Sequence, residues 1–107
     1  METISFEDFK KIQIRIGKIL TAQKVENSNK LLKLQVDFGI ETRQIIAGVA
    51  KFYEPEILVG KLCPFVFNLA PKMMGELESQ GMILCADNGE PVLLHPDKEI
   101  LPGSVVK

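Results

Sequence analysis

Hydrophobic and polar residues alternate with a period of two in several short stretches of the chain, a pattern typical of strands with one buried face. Residues 12–16 place three isoleucines between polar residues, and residues 32–38 carry apolar side chains at every second position. Gly17 ends the first stretch, and Ile19 follows in the opposite phase. The pattern therefore predicts a first strand with a bulge or sharp bend at Gly17 and a regular second strand.

A third strand is predicted at residues 42–47, after a turn at residues 39–41. A turn this short makes the second and third strands an antiparallel hairpin. We expect the polar outer face of this hairpin to hold Lys33 and Arg43 as neighbours.

Two further strands are predicted at residues 62–67 and 82–86. The first of these is apolar almost throughout, which predicts burial on both sides. Its Pro64 predicts an edge position or a bulge, because proline cannot donate to a strand ladder. Beyond residue 87, turn residues and short apolar runs predict a carboxy-terminal extension.

Two short helices complete the predicted elements. Ser5 can cap a helix of one or two turns, with Asp8 at its third position, and residues 53–60 predict a helical turn between the third and fourth strands. Five short strands in this order predict an all-β fold, the five-stranded OB-fold barrel. Many other small β barrels share the same pattern.

The connection between the fourth and fifth strands, residues 68–82, is long and rich in Gly, Pro and hydrogen-bonding side chains. Connections of this length are uncommon in compact domains and are usually functional or disordered. Met73, Met74 and Leu77 within it argue against disorder. We therefore expect a binding loop at this position.

The 107 residues fit a single domain, residues 1–107, which is large enough to bury a core without disulfides or metals. Cys63 and Cys85 lack CxxC spacing, which favours two buried reduced thiols over a redox or metal pair. No stretch is apolar and long enough to cross a membrane, and the acidic first residues lack the features of a secretory signal. We expect a cytoplasmic protein, either a free polypeptide or a domain of a longer chain.

The net charge of −1 argues against a binder that relies on a strongly basic surface. The charges are nevertheless unevenly distributed. Residues 10–72 carry 11 Lys and Arg against 5 acidic residues, whereas the rest of the chain carries 2 Lys against 9 acidic residues. A basic middle segment can present a local phosphate-binding face, and a mixed solvated surface is the alternative.

Several blocks of residues follow one another in a recognisable order. They are Lys30-Leu31-Leu32-Lys33-Leu34, Arg43-Gln44-Ile45-Ile46-Ala47-Gly48-Val49-Ala50, Tyr53-x-Pro55-Glu56-x-Leu58-Val59-Gly60-Lys61, Asn68-Leu69-x-Pro71-Lys72 and Ser79-Gln80-Gly81-Met82. In order and spacing these blocks resemble the tRNA-binding domain that is appended to methionyl-tRNA synthetases. The resemblance covers most of the chain and implies an OB-fold.

The resemblance also implies a tRNA-binding surface on the second and third strands and on the connection that follows the fourth, where OB-folds bind oligonucleotides. Its basic residues would neutralise phosphates, its polar residues would hydrogen-bond sugar hydroxyls or unpaired bases, and its methionine would offer an apolar shelf. The expected tRNA-binding residues are Lys30, Lys33, Arg43, Asn68, Lys72, Ser79, Gln80 and Met82.

Each of these expectations has a structural alternative. Met82 can belong to the core, and Lys33 can be a solvated lysine. Asn68 can fix the backbone of its own loop, and residues 79–81 can form a turn with positive φ at the glycine. The aromatic pair at residues 52–53 can stack a base or cap the barrel.

Catalysis has little support in the sequence. His95 is the only histidine and lies far along the chain from both cysteines and from any glycine-rich nucleophile turn. The chain also lacks a phosphate-binding glycine loop and a cluster of metal-ligand residues. We expect no enzyme activity, no metal and no cofactor.

The resemblance implies a module that binds tRNA non-specifically and raises the tRNA concentration at the catalytic subunit of a methionyl-tRNA synthetase. It also implies a homodimer, with residues 92–94 and 101–106 as candidate contacts, unless these segments only cover the open end of the barrel. Two rival functions remain open. One is a protein-binding chaperone of a secretion-related branch with an apolar dimer groove, and the other is a docking module of a synthetase complex.

Overall fold

The computed structural model describes all 107 residues, and strands dominate its secondary structure. Two short helices, α1 (Phe6–Lys10) and α2 (Pro55–Leu58), precede the first and the fourth strand. In chain order the strands are β1 (Ile14–Lys24), β2 (Leu32–Asp37), β3 (Thr42–Ala47), β4 (Leu62–Val66), β5 (Lys72–Met74), β6 (Leu77–Ser79), β7 (Met82–Ile83), β8 (Cys85–Asp87), β9 (Pro91–Leu93) and β10 (Val105–Val106).

The main sheet is antiparallel, with strand order β3-β2-β1-β4-β7. The 11 residues of β1 pair with β4 along their first half and with β2 along their second half. A long strand shared in this way curls the sheet, and β6 and β7 lie against the free edge of β3. The result is a partly open five-stranded barrel, which confirms the predicted all-β OB-fold.

The interior of the barrel is apolar and closely packed. Phe38 lies at its centre, and its ring meets those of Phe65 and Phe67 edge-on, with centroids 5.4 and 5.0 Å apart. The alternate apolar residues of β2 are fully buried, as their spacing predicts. This packing gives the outer faces of β2 and β3 a rigid support.

The bulge in β1 lies at Leu20, because the register with β2 shifts between Ile19 and Thr21. The bulge predicted at Gly17 is therefore wrong. Gly17 lies within the regular part of β1, where a Cβ atom would come within 2.7 Å of the Phe38 ring. The glycine makes room for a core aromatic ring.

The edge position predicted for the fourth strand is also wrong, since β4 lies between β1 and β7. Both backbone polar groups of Ile16, the partner of Pro64 on β1, bond to the segment before β10. The missing N–H of Pro64 therefore faces β7, and the predicted fifth strand is split there into β7 and β8, at Leu84. Residues of β4 alternate between buried and half-buried, so burial on both sides is wrong as well.

The predicted binding loop contains a β-hairpin at residues 72–79. Strands β5 and β6 pair with Lys72 opposite Ser79, and Gly75 turns the chain with a φ of 66°. This hairpin lies across β3, so its tip reaches the end of the barrel that carries the β1–β2 connection.

Smaller expectations are met in part. Asp8 N–H donates to Ser5 Oγ at 3.0 Å, which confirms the predicted cap of α1. Both cysteines are free, but only Cys63 is fully buried, and Cys85 is half-buried. Burial, followed by the nearby Cys85, raises the pKa of Cys63 to about 11. Neither helix has the length or apolar character required to cross a bilayer.

Candidate nucleic-acid interface

A cleft of about 590 Å³ opens between the β1–β2 loop, residues 25–31, and the tip of the β5–β6 hairpin, residues 74–77. We refer to it as the loop–hairpin cleft. Lys33, on β2, is the lining residue contributed by the second strand. The cleft thus lies beside the strand face and between the two connections that OB-folds use to bind oligonucleotides.

Hydrogen bonds within the β1–β2 loop hold it in a defined shape. Ser28 Oγ accepts from the N–H groups of Lys30 and Leu31, each at 3.2 Å, and Ser28 N–H donates to Val25 O at 3.1 Å. Asn27 has a φ of 65°, in the left-handed region that asparagine enters more readily than most residues. A loop preformed in this way loses little conformational entropy when a ligand binds.

The charges that line the cleft are mixed. Lys24 and Lys33 supply positive charge, and Glu26 and Glu76 supply negative charge. Lys24 Nζ also lies 3.9 Å from Glu54 Oε2, which leaves Lys33 as the lysine of the lining without a carboxylate within salt-bridge distance. The cleft therefore offers one available cation at its floor and a weak overall field.

The hairpin is fastened to the open edge of β3 by polar side chains. Gln80 N–H donates to Gln44 O at 2.8 Å, and Gln44 N–H donates to Gln80 Oε1 at 2.9 Å. Ile46 N–H donates to Ser79 Oγ, which in turn donates to Gly81 O, both at 2.9 Å. These side chains satisfy backbone groups that a neighbouring strand would otherwise satisfy.

Ser79 and Gln80, both predicted to contact tRNA, thus make hydrogen bonds within the protein. Ser79 is only 3% exposed, so its hydroxyl has no access to a ligand in this conformation. The positive φ predicted for Gly81 is confirmed at 151°. A Cβ atom there would lie 2.9 Å from Val66 O, so the glycine allows the close approach that the hairpin needs.

Arg43 lies on the inner face of the barrel, not on the outer face of the β2–β3 hairpin. Its partner on β2 is the buried Val36, whereas the partner of Lys33 is Ile46, at the other end of β3. The prediction that Lys33 and Arg43 are neighbours is therefore wrong. At the open end of a barrel, a residue that points inward can be polar, so alternation of polar and apolar residues no longer reports the inward face.

The guanidinium of Arg43 closes the base of the barrel. It stacks 3.6 Å from the centroid of the Phe67 ring, and Arg15 stacks on the same ring at 4.7 Å. Arg43 also pairs with Glu41 at 2.9 Å and donates to the carbonyl oxygens of Phe67 and Gln80, the latter at 3.2 Å. Its side chain is 20% exposed, so these internal contacts account for most of its surface.

Asn68, shortly after β4, fastens the end of that strand to the segment that precedes β1. Its Oδ1 accepts from Gln13 N–H at 2.8 Å, and its Nδ2 donates to Lys11 O at 2.7 Å. The expected alternative is that Asn68 bonds to the backbone of its own loop. It bonds instead to the backbone of the segment between α1 and β1. The amide still acts on backbone conformation.

The remaining predicted residues are exposed or half-exposed. Lys30 closes the β1–β2 loop and is exposed. Lys72 and Met82, also exposed, line a second, apolar pocket of about 270 Å³ beneath the hairpin. The structure thus separates the predicted set into two groups. The side chains of Lys30, Lys33, Lys72 and Met82 make no hydrogen bond or salt bridge within the protein, whereas those of Arg43, Asn68, Ser79 and Gln80 are bonded internally, although Asn68 is itself exposed.

Sequence reasoning missed Gln44, the residue on which the hairpin is anchored. Its side chain meets Gln35 Nε2 at 3.4 Å and donates to Glu78 O at 3.0 Å. The polar character of Gln44 within a predicted strand is a local signal, although the prediction that Arg43 faces outward would turn Gln44 inward. Its partners on the hairpin are more than 30 residues away, however, and no local spacing reveals such a contact.

His95 has a structural setting. Its Nδ1 lies 3.1 Å from Leu62 O and 3.8 Å from Cys63 Sγ. No group of three or more His, Cys, Asp or Glu residues is arranged to hold a metal ion. The polar contacts of this region fix the carboxy-terminal extension against β4.

Comparison with known proteins gives a consistent result. The model of the family described as "Putative tRNA binding domain" matches residues 14–105. The methionine–tRNA ligase of Archaeoglobus fulgidus is 52% identical over 106 residues, which are 98% of this chain and 16% of that protein. The methionine–tRNA ligase of Thermotoga maritima is 52% identical over 104 residues, which are 96% of this chain and again 16% of that protein.

Solved structures agree with the fold. The crystal structure of a MetRS related protein from Pyrococcus horikoshii is 38% identical, with a TM-score of 0.92 and full coverage of both chains. The crystal structure of the chaperone CsaA from Bacillus anthracis is 30% identical, with a TM-score of 0.90, and covers 99% of this chain and 100% of that chain. The family model spans β1 to β10 and includes the residues of the loop–hairpin cleft. The chain therefore belongs to the family of tRNA-binding domains, and it is related to a domain of methionine–tRNA ligase.

Proposed function

We propose that this domain binds tRNA without strong preference for one tRNA species and supplies it to a methionine–tRNA ligase catalytic unit, as a subunit or as an attached domain. The observation that carries the proposal is the loop–hairpin cleft, with an available Lys33 at its floor on the oligonucleotide-binding face of an OB-fold. Membership of the tRNA-binding family supports the choice of ligand.

Backbone contacts dominate the proposed binding. Lys30, Lys33 and Lys72 reach solvent around the cleft and the hairpin and neutralise phosphates, while Arg43, Ser79 and Gln80 keep the hairpin in place. About three phosphate contacts give a modest affinity with a marked dependence on salt. Few base contacts mean that the shape of the tRNA matters more than its sequence.

The domain contributes affinity and no chemistry. Holding the tRNA outside the catalytic unit turns the second binding event into an intramolecular one, which raises the effective tRNA concentration at the active site. Aminoacylation resides in the catalytic unit, and the cytoplasm, where tRNA is charged, is the proposed location. This division fits a chain that spans 16% of the ligases it matches.

A second copy of the chain is proposed as a further partner. The carboxy-terminal extension and the outer faces of β1 and β4 form an apolar groove of about 420 Å³, here termed the C-terminal groove, lined by Ile16, Pro64, Leu94, Ile100, Val105 and Val106 among others. Several of these side chains are exposed. A homodimer that buries this groove would join two tRNA-binding faces. A monomeric mass by light scattering would contradict it.

Titration of fluorescent tRNA, followed by anisotropy at low and moderate salt, tests the main proposal. Lys33→Ala/Lys72→Ala should weaken binding and flatten its salt dependence. Lys11→Ala/Lys98→Ala removes the same charge from exposed lysines outside the cleft and should bind like the wild type. Equal affinity of all three proteins, or no tRNA binding by the wild type, would overturn the proposal.

A chaperone function is the second candidate, favoured by the 30% identity and TM-score of 0.90 to the chaperone CsaA. It would place an unfolded segment of another protein in the C-terminal groove. Suppression of aggregation of a reduced model protein, lost in Ile100→Asp and retained in Lys33→Ala/Lys72→Ala, would support it. Binding of a synthetase catalytic subunit that tolerates replacement of the solvent-exposed Lys30, Lys33 and Lys72 would instead support a docking module.

A further inference from the structure

Phe52 is one of two adjacent aromatic residues that are expected from the sequence either to stack on a base or to cap the barrel. It is 46% exposed and makes no stacking contact with another aromatic ring or with a cation. The neighbouring Tyr53 is the residue that caps, since its hydroxyl donates to Pro91 O at 3.0 Å and accepts from Leu93 N–H at 3.3 Å. The two adjacent aromatic residues therefore differ in role, and Phe52 has no structural partner of that kind.

The turn that carries Phe52 contacts the β1–β2 loop on one side and the end of β1 on the other. Before it, Ala50 N–H donates to Lys30 O at 3.0 Å. After it, Glu54 Oε2 lies 3.9 Å from Lys24 Nζ. Lys24 lines the loop–hairpin cleft, and Lys30 closes the loop beside it. Phe52 thus lies on a turn that is bonded to the β1–β2 loop, but it does not line the cleft itself.

The position of Phe52 is also fixed and flanked by positive charge. The N–H groups of Phe52 and Tyr53 both donate to Val49 O, at 3.0 and 3.1 Å. Lys51 and Lys30, both exposed, lie on the same turn and on the loop bonded to it. An exposed aromatic side chain on a fixed turn, with lysines at neighbouring positions, is an arrangement with which proteins stack an unpaired base while they neutralise its phosphates.

We propose that Phe52 stacks on an unpaired base of the bound tRNA, so that the tRNA footprint extends from the loop–hairpin cleft over the β1–β2 loop to this turn. The inference rests on the proposed function. Stacking tolerates any base, so it adds affinity without selecting one tRNA species. It also provides the preference for unpaired loops over duplex RNA that lysines alone do not give.

A tryptophan at this position provides a direct test, because the protein has no tryptophan of its own. In Phe52→Trp, base stacking should quench the single indole fluorescence as tRNA is added. Phe6→Trp is the matched control, because Phe6 is 70% exposed and adjoins Lys10 at 5.5 Å, but lies on α1 and not beside the cleft. Its fluorescence should be unchanged.

Affinity measured on the same tRNA completes the test. Phe52→Ala should weaken binding about fivefold or more, Phe52→Trp should retain it, and Phe6→Ala should stay within about twofold of the wild type. Unquenched indole fluorescence of the Phe52→Trp variant at saturation, or wild-type affinity of Phe52→Ala, would overturn the stacking role while leaving tRNA binding intact. Failure of the wild type to bind tRNA would overturn the proposed function, and the stacking role with it.

Discussion

The surface formed by the β5–β6 hairpin and the loop–hairpin cleft is here termed the hairpin face. It and the C-terminal groove are both surfaces of one small barrel, yet they differ in the side chains that build them. The hairpin face is held by polar side chains that bond to backbone groups of β3, with lysines around it. The C-terminal groove is lined by apolar side chains, several of them exposed, along the outer faces of β1 and β4. The first surface presents polar groups with Lys33 as its available cation, whereas the second presents apolar side chains to solvent.

The comparison shows that polar residues in a family motif can have a structural role within the protein. Ser79 and Gln80 belong to the most recognisable block of the sequence, but their side chains complete the edge of β3. Lys33 and Lys72 come from other blocks and remain available. A motif of this kind specifies the scaffold that presents the lysines as much as the lysines themselves.

Replacement of Arg43 should have the largest effect on the hairpin face. Arg43→Ala removes the stacking on Phe67, the pair with Glu41 and two hydrogen bonds to carbonyl oxygens. We expect the free energy of unfolding to fall by about 3 kcal/mol, as expected for a largely buried, hydrogen-bonded guanidinium. Urea denaturation measures this, with Lys33→Ala as a control that should change it by less than about 0.5 kcal/mol. Equal stability of the two variants would contradict the scaffold role of Arg43.

Ser79→Ala should have the next largest effect. The variant leaves Ile46 N–H without its partner in a buried position, which should cost about 1–3 kcal/mol of stability. tRNA affinity, measured well below the unfolding midpoint, should fall much less than in Lys33→Ala. Ser104→Ala removes an exposed hydroxyl bonded to Leu101 O and should be nearly neutral. Loss of affinity without loss of stability would restore Ser79 as a tRNA contact.

The sequence predicts most of the fold because period-two alternation reports one buried face directly. The strands at residues 32–37 and 42–47 and both helices follow from such local signals. The bulge at Leu20 and the interior position of Pro64 do not, because each depends on which strand lies alongside. Pairing between distant strands leaves no local trace in the chain.

The site is predicted less well than the fold for a related reason. A sequence reveals which residue types are present, and Lys33 is correctly placed on the polar face of β2. It does not reveal that the Arg43 side chain points into the barrel at its base, where the guanidinium stacks on the Phe67 ring. Nor does it reveal that Asn68 bonds to residues more than 50 positions away.

A charge in the C-terminal groove should separate the two surfaces. Ile100→Asp places a carboxylate in the proposed dimer contact, so the mass from light scattering should fall from dimer to monomer. Stability at fixed monomer concentration should change little beyond the lost association. Ile57→Asp, at an exposed apolar position on α2 outside the groove, is the matched control and should leave the mass unchanged. Equal masses for both variants would remove the groove as an interface between copies.

Single lysine replacements should have the smallest effect on the protein and the most informative one on binding. Each phosphate contact contributes about −0.7 to the slope of log affinity against log salt concentration for single-stranded nucleic acid. Lys33→Ala should flatten the slope by about that amount, with stability unchanged, because Lys33 makes no salt bridge or side-chain hydrogen bond within the protein. Lys98→Ala, outside the cleft, should leave the slope as it is. If Lys33→Ala weakened binding equally at all salt concentrations, Lys33 would contact a base or sugar rather than a phosphate, and the hairpin face would read more than the charge of its ligand.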